Sequence, residues 1–291
     1  MDILHEPRGT LLRSDREAIA WRRWVPADRT CASVVVLHGL GEHAGRYAVV
    51  AERLTHAGFA VTAFDYEGFG ESFGHRGDVR YGPTCGDLDR LIGEERVRTG
   101  GLPVFLYGHS LGGLYAFLYA ADRPGADLAG VVVSGPAFDS QLRQQRLKVA
   151  IARLLARAHP TLSLPNGLRF ERVNRSSEVV AARKADPLVH GRATARFAVD
   201  VLAQMERVRS AAPSVQVPLL VLHGDADLIN PISASREVVQ LVPSSTLVTY
   251  QGAYHGLEEE AEARTLLSDV IAWLDEVLLD SGHRLPDPGA R

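Results

Sequence analysis

Lysine is almost absent from this chain: among 32 basic residues only Lys148 and Lys184 are lysines, and the rest are arginine. That bias reads as codon usage before function. Cysteine is as scarce, with 2 in all. Cys31 and Cys85 stand far apart and show no metal-ligand spacing, which argues against a disulfide framework or a metal site. A strong charge of either sign is also missing. The formal net charge of −3 gives no footprint for a nucleic-acid partner, and none is expected. No basic segment followed by an apolar stretch opens the sequence, so a secretory signal is not expected and a cytoplasmic setting is. One uncharged run, residues 102–121, has the length of a membrane span. Pro103, Gly108, His109, Ser110, Gly112 and Gly113 divide it, so it reads as a buried strand followed by a buried helix.

What remains is an ordinary globular composition, 46% hydrophobic and 23% charged. A length of 291 residues admits one large α/β domain or two small ones. Residues 9–25 alternate weakly and suggest an antiparallel hairpin ending at Pro26. Ser33 to His38 is a β-branched run suited to a central buried strand, Arg46 to His56 a helix closed by Gly58, and Phe59 to Phe64 the next strand. Asp87 to Arg98 reads as a polar helix. Val131 to Val133, Val217 to His223 and Thr246 to Tyr250 are further strands, and Leu257 to Leu279 a last long helix with Glu258, Glu259 and Glu260 at its positive end. Strand–helix alternation of this kind builds a mostly parallel sheet with helices on both faces. The rhythm fails between residues 137 and 212, where helical periodicity holds and no convincing strand is seen. The expected organisation is therefore an α/β core of residues 1–136 and 213–282, an inserted helical cap of residues 137–212, and a flexible tail of residues 283–291.

The chemistry starts at Gly108-His109-Ser110-Leu111-Gly112. A strand before this pentapeptide and an apolar helix after it make a nucleophile elbow, a sharp turn that lifts a serine hydroxyl above the sheet. Read blandly, Ser110 would only cap a helix. A serine hydroxyl needs a base, and the base needs an orienting carboxylate. Of the histidines after Ser110, His255 sits in a loop just past a predicted strand, where a base can reach across the top of the sheet. His223 ends a strand, His159 and His190 lie in the insertion, and His283 lies in the tail. The acid is sought in His223-Gly224-Asp225-Ala226-Asp227. Asp227 is assigned because it lies farther around the turn, and Asp225 is expected to stabilise that turn through its own backbone. The oxyanion of an acyl-transfer intermediate needs two N–H donors, expected from Leu111 after the nucleophile and Leu40 in the glycine-rich loop His38-Gly39-Leu40-Gly41.

With those residues in place, the run His38-Gly39-Leu40-Gly41-Glu42-His43-Ala44-Gly45-Arg46-Tyr47 resembles the HGxGEHxxRY signature of the monoacylglycerol lipase family. Asp65-Tyr66-Glu67-Gly68-Phe69-Gly70-Glu71-Ser72 is similar to that family's DxxGHGxS loop, with Phe69 in place of the usual histidine. The elbow, Asp186-Pro187-Leu188, the His-Gly-x-x-Asp loop and Gly-Ala-Tyr-His match in order, so the resemblance runs from about residue 9 to residue 279. It implies an α/β-hydrolase fold with a helical cap, and cleavage of monoacylglycerols without a cofactor. Lysophospholipase or broad carboxylesterase activity is the neighbouring alternative. A non-catalytic binding protein on the same fold is the alternative of a different class, against which the intact Ser110, Asp227 and His255 set argues.

The insertion speaks for a lipid substrate separately. Leu147, Ile151, Leu154, Leu155 and Ala158 recur at helical spacing, accompanied by Arg143, Arg146, Lys148, Arg153 and Arg157, with no acid from Gln141 to His159. Such a basic amphipathic helix fits a lid in peripheral contact with a membrane surface. It fits equally a cap helix packed on the core with its arginines in water. Gly39, His109, Ile151 and Leu155 are the expected substrate contacts.

Overall fold

The β-branched run of the sequence forms the middle of an eight-stranded sheet in the computed structural model, which describes residues 8–140 and 145–283. The strands in chain order are β1 (Arg8–Ser14), β2 (Glu17–Trp24), β3 (Ala32–Leu37), β4 (Phe59–Phe64), β5 (Val104–His109), β6 (Gly130–Ser134), β7 (Ser163–Pro165), β8 (Arg192–Thr194), β9 (Leu219–Gly224) and β10 (Ser245–Tyr250). The large sheet runs β1-β2-β4-β3-β5-β6-β9-β10. Its first two strands are the expected hairpin, joined antiparallel to β4; every pairing from β4 to β10 is parallel.

A strand's two-residue period explains why both faces are dry. Val34, Val36, Phe105, Tyr107, Val132, Leu220 and Leu222 enter one core with α1 (Ala48–His56). Val35, Leu37, Leu106, Val131, Val133, Leu219 and Val221 enter the other with α2 (Tyr81–Thr99) and α3 (Leu111–Asp122). The helices α4 (Arg146–Ala158), α5 (Ser177–Ala185), α6 (Ala195–Ala211), α7 (Ile232–Leu241) and α8 (Ala263–Asp280) complete the chain. α8 joins the first core through Leu266, Val270 and Leu274; α6 and α7 join the second through Phe197, Met205 and Val238.

Three expectations shift. α2 begins at Tyr81 and not Asp87, because its first N–H is satisfied from far away: Tyr81 N–H donates to Asp200 Oδ2 of α6 (3.0 Å). Pro83 sits in its first turn, where a missing N–H does no harm. The last helix starts at Ala263, preceded by a single tight turn at Leu257–Glu259. Glu258, Glu259 and Glu260 are drawn into side-chain contacts with Tyr107, Arg46 and Arg183, and Arg175 instead of capping it. Between residues 137 and 212 two three-residue strands do occur: β7 and β8 form a separate antiparallel ribbon. They are too short for alternation to reveal. Leu147, Ile151 and Leu154 of α4 are exposed, as are Arg153 and Arg157. Arg143, the side chains of Arg146 and Lys148, and the tail beyond His283 lie outside the described residues.

Candidate active site

Ser110 stands at the junction of β5 and α3 with φ 53° and ψ −111°, a left-handed conformation that is strained for any residue with a Cβ. The flanking glycines make the turn possible. A Cβ on Gly108 would overlap the carbonyl of Gly112, and one on Gly112 would overlap the carbonyl of Leu37 at the end of β3. The elbow thus needs bare backbone where strand, helix and neighbouring strand converge.

The three side chains singled out in the sequence meet there. His255 Nε2 lies 2.9 Å from Ser110 Oγ, and His255 Nδ1 lies 2.7 Å from Asp227 Oδ2. The other carboxylate oxygen, Asp227 Oδ1, accepts the N–H groups of Ile229 (2.7 Å) and Asn230 (2.9 Å). Burial opposes ionisation of Asp227. The adjacent His255 and the hydrogen bonds from His223 and His255 outweigh it, so the carboxyl is held well below its usual range. Nδ1 of His255 therefore carries a proton toward the carboxylate, and Nε2 is left to accept one from the serine. Asp225 is exposed and turned away; its Oδ1 accepts the N–H of Gly252 (2.6 Å), tying its loop to the one after β10. The tie runs across two loops, not to its own turn as expected.

Leu40 and Leu111 both border the cavity that Ser110 and His255 line. Among the described residues neither of their N–H groups has a protein acceptor. Gly39 is different, since its N–H donates to Glu42 Oε1 (2.7 Å) and is not free for a ligand. Glu42 is the residue that pattern reading overlooked. Wholly buried, it also accepts from Tyr47 Oη (2.7 Å) and faces Arg183 Nη1 of α5 at 3.1 Å. Burial would raise its pKa, but Arg183, with His109 and Arg46, holds it well below the glutamate range. Arg183 also donates to Glu259, which pairs with Arg46. This ionic web fixes the loop after β3 against α5. Glu42 was visible in the His38–Tyr47 motif, yet only the fold shows what it grips.

His109 borders the cavity with its ring 4.8 Å from that of His255, while its Nδ1 faces Glu258 (3.3 Å). Burial depresses its pKa, opposed by Glu258. Phe69, where a histidine was the expected residue, is buried and stacked at 4.7 Å on His190. His190 Nε2 lies 3.2 Å from the Gly68 carbonyl, so the departure from the motif is absorbed by a contact from the segment preceding β8.

The cavity above Ser110 has a volume of about 680 Å³. Ala152 and Leu155 of α4 and Phe197, Val201, Leu202 and Met205 of α6 give it an apolar wall. Leu155 is thus brought to the site, but Ile151 is not: it faces solvent on the outer side of α4. Among the described residues no cluster of side chains suited to a metal occurs, and no helix is long and apolar enough to cross a membrane.

Comparison with known proteins gives a consistent result. The family model Hydrolase_4, described as "Serine aminopeptidase, S33", matches residues 28–262. A monoacylglycerol lipase of Mycolicibacterium smegmatis is 36% identical, over 88% of this chain and 92% of its own length. The monoglyceride lipase of Homo sapiens is 31% identical, over 95% of this chain and 93% of its own. Among solved structures, that of a Paleococcus ferrophilus monoacylglycerol lipase superposes with a TM-score of 0.82 at 35% identity, covering 89% of this chain and 99% of the other.

Proposed function

The chain belongs to the monoacylglycerol lipase-like α/β-hydrolases of the Hydrolase_4 family, and from that membership we propose that it cleaves monoacylglycerols to fatty acid and glycerol. The observation that carries this reading is the relay Ser110 Oγ–His255 Nε2, His255 Nδ1–Asp227 Oδ2, opening into an apolar cavity. Ser110 Oγ attacks the ester carbonyl carbon while His255 Nε2 takes its proton. The oxyanion is held by the N–H groups of Leu40 and Leu111, and the imidazolium by Asp227. Collapse expels glycerol, protonated by His255, and leaves the acyl group on Ser110. Water, deprotonated by the same imidazole, attacks the acyl carbonyl, and Ser110 departs with the proton as the fatty acid is released. His109 packs beside the base and limits its movement. The acyl chain runs along Leu155, Val201 and Met205. The volume suits a single-chain ester, since small-molecule sites span roughly 300–1,000 Å³.

The family description names a peptidase, and the cavity bears on that. A site for a peptide's free amino group needs an available carboxylate. Among the described residues lining this cavity the only carboxylate is Glu42, already engaged by Gly39, Tyr47 and Arg183. Ester cleavage is therefore the reading the site favours.

In this proposal residues 137–212 are the cap. Its outer face, with Leu147, Ile151 and Leu154 exposed beside Arg153 and Arg157, makes peripheral contact with lipid from the cytoplasmic side. The test is labelling by a fluorophosphonate probe combined with a substrate panel of 1- and 2-monoacylglycerols, diacylglycerols and short esters. Wild type should label and prefer monoacylglycerols, and Ser110→Ala should do neither, with turnover lower by about 10⁴-fold or more. Substantial turnover by folded Ser110→Ala would refute the mechanism.

A further inference from the structure

We propose that the cavity contains a phosphate-accepting subsite formed by Asn166, Arg169 and Arg172, so that its substrates include single-chain acylglycerols carrying a phosphate on the glycerol. The proposal rests on the serine ester hydrolase reading and concerns the head-group end of the same site.

The first observation is an unpaired donor. Asn166 Nδ2 is buried without a hydrogen-bond partner, in a residue that lines the cavity. Its orientation is settled by the other half of the amide, since Asn166 Oδ1 accepts the Leu168 N–H (2.9 Å). The backbone is clamped too, Asn166 N–H donating to the Gly191 carbonyl (2.8 Å). A buried donor held this rigidly is costly unless an acceptor arrives from the ligand.

The second observation is unbalanced charge. Arg169 and Arg172 are exposed at the cavity wall, joined by one tight turn in which Arg172 N–H donates to the Arg169 carbonyl (3.0 Å). The basic residues that follow them in the chain are neutralised, Arg175 by Glu260 and Glu262, Arg183 by Glu42 and Glu259, Lys184 by Glu171, while Arg192 is spent on Ser163. Among the described residues Arg169 and Arg172 form no salt bridge; Glu171 between them acts on Arg169 only at longer range, its own direct partner being Lys184. They offer planar guanidinium donors suited to phosphate oxygens.

Position assigns the subsite to the head group. A Cβ at Gly41 would stand 3.8 Å from Asn166 Nδ2, so this amide borders the loop that carries the Leu40 N–H. The apolar wall of α6 lies elsewhere in the cavity and serves the acyl chain. Chemistry then selects the group. A glycerol hydroxyl offers one neutral acceptor oxygen, whereas the free side-chain groups of this wall are several donors, two of them charged. A phosphate dianion, which only accepts, satisfies them.

The experiment compares 1-dodecanoylglycerol with its 3-phosphate, both kept below their micellar concentrations so that no lipid surface contributes. The ratio of the two kcat/KM values is read for wild type, Arg169→Gln/Arg172→Gln, Arg169→Lys/Arg172→Lys and Asn166→Ala. Wild type should cleave both esters. The glutamine pair should lower the phosphate-to-neutral ratio by roughly tenfold or more, as expected for lost charge-assisted hydrogen bonds. The lysine pair should retain part of the ratio, and Asn166→Ala should lower it severalfold. Raised salt should increase KM for the phosphate ester in wild type but not in the glutamine pair. Glycerol 3-phosphate, the free head group, should compete with the neutral ester in wild type and less in that variant. A wild-type enzyme that cleaves only the neutral ester, or a ratio unmoved by the glutamine pair, overturns the subsite and leaves the hydrolase reading intact. Failure of both esters together with absent fluorophosphonate labelling overturns the hydrolase reading itself.

Discussion

Exchanging one oxygen of Asp227 for nitrogen, in Asp227→Asn, separates the two aspartates of the acid loop. The result can be worked out from the bonds around the carboxylate. Oδ1 accepts two backbone N–H groups, from Ile229 and Asn230. In the variant the amide oxygen must keep that place, because an NH₂ there would set donors against donors. The NH₂ is thereby aimed at His255 Nδ1, which stood 2.7 Å from Oδ2. Nδ1 must become the acceptor, its proton moves to Nε2, and Nε2–H then faces Ser110 Oγ across 2.9 Å. A ring nitrogen already bearing hydrogen cannot take the serine proton.

The loss should therefore appear in kcat, at about 10⁴-fold, the order found when triads are given the wrong tautomer. Asp225→Asn should change the rate no more than about twofold, since it alters one exposed contact to Gly252. The assay is hydrolysis of a short soluble ester, with thermal melts to show that both variants fold. A folded Asp227→Asn within about tenfold of wild type would refute the tautomer reasoning. A reversed ranking would move the acid to Asp225.

Two further outcomes are expected. Glu42 has a folded pKa held below its unfolded value, so the unfolded chain binds more protons and the contribution of Glu42 grows with pH. That contribution is complete above the ordinary glutamate range and disappears as pH falls through the depressed value. Glu42→Gln should thus be less stable than wild type by about 3–5 kcal/mol near neutrality, the usual cost of breaking a buried pair, with a smaller gap in acid. Urea melts at several pH values measure this, and a gap independent of pH would contradict it. On the cap, Leu155→Asp should raise KM for dissolved long-chain monoacylglycerol by about tenfold or more while sparing a short ester. Ile151→Asp should weaken turnover only of vesicle-bound substrate, in step with reduced co-sedimentation. Equal losses for the two variants on every substrate would show a helix that merely unfolds.

The residues proposed to carry the chemistry were legible because local rules constrain them tightly. An elbow serine needs glycine at both sides, and each strand of a parallel sheet delivers its loop to the same edge, so Ser110, Asp227 and His255 could be put together from chain order alone. Strand interiors were legible for a similar reason: β3 and β4 are buried throughout, and apolar at every position but Ser33 and Thr62, because both of their faces are covered. Features set by distant partners were not. The start of α2 depends on Asp200, more than a hundred residues away in sequence, and no pattern near Tyr81 announces it. Ile151 and Leu155 share an amphipathic period, yet the turn of α4 over the cavity takes only Leu155 inside.

The three glutamates after His255 make the same distinction. Read locally, consecutive acids before a long helix belong to its positive end. In the fold each is claimed by a different element: Glu258 by Tyr107 of β5, Glu259 by Arg46 and Arg183, Glu260 by Arg175. The helix dipole offers typically 0.3–1 kcal/mol to an exposed acid, whereas a buried, charge-assisted bond removed from its partner costs several times more. The stronger demand prevails, and the helix begins at Ala263 without them. One consequence reaches the chemistry. The segment following the base is pinned to β5 beneath the nucleophile and to the α5 segment beside Glu42. His255 is thereby held by the same web that fixes the Leu40 loop, and the proposed base and proposed oxyanion donor keep a common frame.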